Sequence, residues 1–128
     1  MGNLDERVEV KNPILDKNEK YHWLLERVEW WDKVTGELVY VSLTWHDPFK
    51  QDSIDVWLLP DRKQLCKGYL GSRWAYANNY HYGGYGCIEL PEEKLREIAK
   101  MLLEAKTFED YRRINEMFDV PITSRWHA

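Results

Sequence analysis

From Leu38 to Trp45 the chain alternates without a break: Val39, Val41, Leu43 and Trp45 form one series, Tyr40, Ser42 and Thr44 the other. A period of two sends successive side chains to opposite faces of a sheet, so this stretch predicts a strand with one apolar and one polar face. The preceding Asp32–Glu37 stretch has the composition of a hairpin turn, with Gly36 free to take a positive φ. A hairpin needs a second strand, which places residues 25–31 opposite. Upstream of about residue 24 the pattern is ambiguous. Tyr21, Leu24, Leu25 and Val28 keep helical spacing, and Asp16 with Glu19 imitates a capping box, so a helix before residue 24 competes with a strand.

Shorter strand signals flank this hairpin. Val8 and Val10 alternate ahead of Pro13. Residues 53–59, 63–70 and 85–90 are apolar runs punctuated by Asp47-Pro48, Pro60-Asp61 and Pro91. Residues 71–84 have no clean period and read as a long loop, the kind of segment on which function concentrates. Beyond Pro91 the period changes to that of a helix. Glu92 and Glu93 suit its positive end, and Leu95, Ile98, Ala99, Leu102 and Leu103 make one stripe. Thr107 with Asp110 three residues on opens a second helix, with Phe108, Tyr111, Ile114 and Phe118 on its buried side. The expected architecture is α+β. An antiparallel sheet of about five strands (residues 7–90) is covered on one face by two C-terminal helices, Pro91–Ala105 and Phe108–Phe118. The apolar face they need comes from Val39, Val41, Leu43, Ile54, Val56 and Ile88.

Composition narrows the class. With 128 residues, 44% apolar and 31% charged, the chain reads as one folded domain spanning 1–128. No apolar run approaches the roughly 20 residues that cross a bilayer, and the charged N-terminus lacks the apolar stretch of a secretory signal. The expected location is therefore the cytoplasm, without membrane association. There Cys66 and Cys87, the two cysteines of the chain, are expected to be free thiols. A net charge of −4 argues against duplex DNA as a partner.

Charge is distributed unevenly, and this points to a site. Between Asp61 and Glu89 there is no acid, while Arg62, Lys63, Lys67 and Arg73 supply four cations. The same segment holds Tyr69, Trp74, Tyr76, Tyr80, Tyr82 and Tyr85 and five of the seven glycines. Cations, flat aromatic faces and permissive backbone suit a nucleotide-like or other anionic aromatic ligand. The candidate ligand-binding residues are Arg62, Lys63, Arg73, Trp74, Tyr76, Asn78, Asn79, Tyr80, His81 and Tyr82. Arg73 and His81 would meet the anion, Trp74 and the tyrosines would stack, and Asn78 and Asn79 would read polar edges. The glycines around Tyr85 do not form a P-loop, since no Gly-Lys-Ser/Thr follows. Arg112 and Arg113 on the last helix belong to a solvated face, or complete an anion site with Arg73 or Lys63.

Catalytic and metal chemistry find little support. His22, His46, His81 and His127 are widely spaced, with none of the pairings of a zinc site, so no metal or other cofactor is expected. His46 and Asp47 are adjacent on a strand and diverge to opposite faces. No serine sits in a nucleophile elbow. The leading expectation is a non-enzymatic binding protein acting through residues 62–88. A protein–protein inhibitor or adaptor of the kind viruses and mobile elements encode, using the same aromatic surface, is the second reading, and a small enzyme the third. Seven tryptophans in so short a chain also predict a homo-oligomer.

Overall fold

The computed structural model describes residues 8–47, 52–71 and 83–125. Its centre is one antiparallel sheet. The strands are β1 (Val8–Lys11), β2 (Ile14–Asn18), β3 (Trp23–Asp32), β4 (Leu38–Asp47), β5 (Asp52–Leu59), β6 (Gln64–Leu70), β7 (Gly83–Glu89) and β8 (Ser124–Arg125). Seven lie side by side in the order β1-β3-β4-β5-β6-β7-β8, and β2 pairs with β3 beyond β1. The expected five strands are thus too few. β1 forms where Val8 and Val10 alternate, and β2 is added beyond Pro13, which has no N–H for a ladder and divides what would be one strand. Another addition comes from the C-terminal tail, which returns to pair with Gly84 and Tyr85.

The 32–37 turn forms as its composition predicts. Asp32 accepts bonds from the Val34 and Thr35 amides, and Gly36 sits at φ 74°. The helix that competed for residues before 24 is absent. Asp16 does not cap a local helix; its carboxylate accepts from the Phe108 amide, 92 positions away. Residues 23–32 form one strand in register with β4, from Leu24↔His46 to Trp31↔Leu38, with a bulge between Trp30 and Trp31.

Two helices follow, α1 (Glu92–Glu104) and α2 (Phe108–Glu116). Pro91 is the N-cap of α1. Thr107 and Asp110 form a reciprocal capping box at the start of α2, satisfying two amides that the first turn leaves unpaired. Leu95, Ile98 and Leu102 of α1 meet Leu25, Val41, Leu43, Val56, Leu58 and Leu65 of the sheet in one buried cluster. Of the two helices, α1 lies on β3 and β4; α2 packs beside α1 and adds Tyr111 and Ile114 to the same core. Val39, expected in the apolar face, is only half-buried and outside that cluster.

The cysteine expectation is overturned. Cys66 and Cys87 face each other in the β6–β7 ladder and are joined as a disulfide. Two side chains directly opposite on antiparallel strands share a face and come close, whichever compartment the composition suggests. Among the described residues no helix is long and apolar enough to cross a membrane.

Candidate functional site

Alternation along each strand gives the sheet two unlike faces. The covered face carries the apolar cluster and two cations, each turned toward a helix end. Arg27 donates to the Ala105 carbonyl (2.8 Å) at the C-terminus of α1 and binds Glu29 (2.7 Å). Trp31 donates to the other Glu29 oxygen at 2.9 Å. Burial would raise the Glu29 carboxyl, but these bonds and the charges of Arg27 and Lys11 hold it below the ordinary carboxylate range. Lys67 donates to the carbonyls of Asn115 and Phe118, just at and beyond the end of α2. Unpaired carbonyls at a helix C-terminus favour a cation, and both helices receive one from the sheet. Burial lowers the Lys67 pKa, against the opposing pull of Asp119.

This changes how the acid-free segment reads. Lys67 caps a helix and does not face a ligand. Lys63 pairs with Glu92 at 3.4 Å, and Arg62 is exposed in the short turn before β6. Glycine richness has a packing reason too, since a Cβ at Gly86 would collide with the Pro121 carbonyl as the tail passes. The remaining candidates, Arg73, Trp74, Tyr76, Asn78, Asn79, Tyr80, His81 and Tyr82, lie outside the described residues. Lys63 and Arg112 do not converge. Lys63 belongs to the end of the sheet near Glu92, and Arg112 to the end near Trp45.

The described residues place an aromatic, cationic pocket elsewhere. Where the β2–β3 turn meets α2, Asn18, Tyr21, Trp23, Trp45, Phe108, Glu109 and Arg112 line a cavity of about 360 Å3. Trp45 is its hub, packed against Trp23 (6.1 Å between ring centroids), Phe108 (4.8 Å) and Tyr111 (5.7 Å). The Arg112 guanidinium lies 5.4 Å from the Trp45 ring and forms no ion pair among the described residues. Tyr21, 55% exposed, stands at the mouth. Asn18 holds the turn by accepting from the Tyr21 amide at 3.1 Å. The indole Nε1 of Trp45 is buried without a hydrogen-bond partner. A second cleft, about 560 Å3, lies between the 32–37 turn and α1. Asp32, Glu37, Asp61 and Glu92 line it, and its Arg96 already leans toward Glu92 at 3.9 Å, so it repels anions.

The other face of the sheet carries a polar cluster that neighbouring positions in the chain could not reveal. His46 and Asp47 diverge as alternation requires, Asp47 to the covered side. His46 instead meets Glu26 of β3 at 2.9 Å. Thr44 lies opposite both Glu26 and Asp55, so the two carboxylates share one row across β3, β4 and β5. Ser53 donates to Asp55 at 3.2 Å. Burial raises the Asp55 carboxyl above its ordinary pKa, with hydroxyls of Thr44 and Ser53 and the charge of His46 opposing. No group of residues able to hold a metal ion occurs among the described residues. No family model matches this chain, and searches of curated proteins and of solved structures likewise give no match.

Proposed function

We propose that this protein is a ligand-binding protein for a flat, π-bearing molecule with an anionic group, a nucleotide-like chemistry, and that the pocket between the β2–β3 turn and α2 receives it. The observation that carries this reading is the Arg112 guanidinium lying over Trp45 at the rim of an aromatic cavity, without an ion pair among the described residues. Its hydrogen-bonding fork suits phosphate or carboxylate, and Tyr21 and Trp23 supply faces for stacking. Glu109 gives an acceptor edge that favours ligands bearing N–H donors. The volume fits a ring system with one substituent and falls at the small end of ligand sites. The ligand class is the one the composition of residues 62–88 suggests, with different residues supplying the chemistry.

Titration of tryptophan fluorescence with a panel of nucleoside monophosphates, at low and high salt, tests it. Binding should weaken with salt. Arg112→Ala should weaken it by about 1.5–3 kcal/mol, and Tyr21→Ala by about 1–3 kcal/mol, with little change in Tm because both side chains are exposed. Absence of binding across the panel, or affinity indifferent to Arg112→Ala, refutes the pocket.

A further inference from the structure

The face of the sheet opposite the helices is not covered by any described helix or strand. Around a centre where Ser42 and Cys66 are buried, four of its exposed side chains are large and apolar: Val10 is 56% exposed, Ile14 60%, Trp30 42% and Leu70 39%. They share this face by register, since Val10 pairs with Trp30 and Ile14 with Glu26, while Leu70 pairs with Ser53, itself opposite His46. Trp30 packs on Tyr40 with ring centroids 5.0 Å apart, and Trp57 on Tyr85 at 6.3 Å. Glu26, Thr44 and Asp55 form a row that leads through Gly68 to Tyr85, with His46 beyond it on β4. Tryptophan and tyrosine with an apolar surround are the composition of an interface centre.

We infer that this face docks a protein partner through a segment bearing basic and aliphatic side chains. Charge decides the occupant. Among the described residues Glu26, Asp55 and the rim acid Glu89 face Lys17 and His46, an acidic balance even with His46 and Glu26 bonded to each other. A second copy of the chain docking about a two-fold axis would bring these carboxylates toward their own equivalents, which like-charge repulsion disfavours. A lysine or arginine of a partner would instead reach Glu26 and Asp55 while its aliphatic neighbours cover Trp30 and Val10. The sheet edges are poor alternatives. On one side the outer strands are short and interrupted by Pro13; on the other β8 and the tail cover part of β7. The partner therefore meets side chains on a face, and strand addition is not the mode.

The experiment uses the whole chain, labelled for amide NMR, and three short synthetic peptides alternating valine with lysine, serine or glutamate. Sedimentation first establishes whether the protein alone is monomeric. The lysine peptide should bind and shift the amides of Trp30, Thr44 and Asp55, and the glutamate peptide should not. Glu26→Gln and Trp30→Ser should each weaken the lysine peptide roughly tenfold or more. Glu97→Gln, on α1, should leave it unchanged and so separates docking from attraction to an acidic protein. Failure of the lysine peptide to bind, shifts confined to other surfaces, or equal weakening by Glu97→Gln overturns the inference. A dimer whose contacts bury Trp30 overturns it too.

Discussion

The two faces of this sheet are built from the same strands, often from adjacent residues, and are used in opposite ways. On the covered face Val41, Leu43, Val56 and Leu58 are fully buried, and the charged side chains Arg27 and Lys67 are consumed in holding helix ends. On the open face the corresponding neighbours are Ser42, Thr44, Asp55 and Trp57. Thr44 bonds Asp55 across the β4–β5 pair, Ser42 is buried, and the Trp30 ring stays partly in solvent. A cation on the covered face is therefore a structural element, whatever the local composition suggests. The half-buried carboxylates on the other face belong to a polar row, Glu26 bonded to His46 and Asp55 to Ser53. Proximity in the chain says little about role; parity along the strand says much.

The sharpest break in this comparison is a polar side chain placed on each side. Leu102→Asp buries an unpaired carboxylate in the core and should cost about 4 kcal/mol or more, whereas Trp30→Ser on the open face should cost about 1 kcal/mol or less. Thermal melts of the two variants check this; equal losses would mean that the open face is core as well.

Next in size is the disulfide, which crosses the open face between β6 and β7 and closes a separation of 21 residues. Loop-closure entropy puts its removal at about 3 kcal/mol. Denaturant unfolding with and without reductant measures the difference. Thiol titration of the unreduced, denatured protein should find no reactive cysteine.

Lys67→Met sharpens the structural role assigned to the covered-face cations. It leaves the Asn115 and Phe118 carbonyls without their donor and should destabilise by about 1–3 kcal/mol, with ligand affinity per folded molecule unchanged. A loss of affinity at unchanged Tm would return Lys67 to a binding surface.

The smallest effects concern two carboxylates that respond oppositely to acid. Hydrogen bonds from the Lys106 amide, and then from Thr107, hold Asp110 below its ordinary pKa, so its contribution is complete above that value and fades as pH falls through the folded one. Asp110→Asn should thus weaken the protein near neutrality, by about 1 kcal/mol for a lost cap, and by less in acid. Asp55 is raised by burial, so its charged form opposes folding near neutrality and its protonation favours the folded state. Asp55→Asn, which keeps an acceptor for Thr44 and Ser53, should stabilise slightly near neutrality and lose that advantage as pH drops. Denaturant midpoints across the acid range give both signs.

Part of this fold is decided by neighbours within about four residues and can be read along the chain. Strict alternation made β4 a strand, Gly36 and Asp32 made the hairpin, and Thr107 with Asp110 made the cap that starts α2. These follow from steric and hydrogen-bonding rules that act before any long-range contact forms. The tertiary structure decided everything that depended on register. Whether Asp16 capped a helix of its own or bound the Phe108 amide was settled by packing 92 positions away. In the sequence Lys67 is one of four cations in an acid-free segment and Arg112 a charge on the outer side of the last helix. Where α2 lies on the molecule sets their contacts, with Lys67 at a helix end and Arg112, still exposed, over Trp45. The joining of Cys66 to Cys87 and the row of Glu26, Thr44 and Asp55 arise because antiparallel pairing sets side chains from distant segments directly opposite one another. A shift of one residue would have sent each of them to the other face.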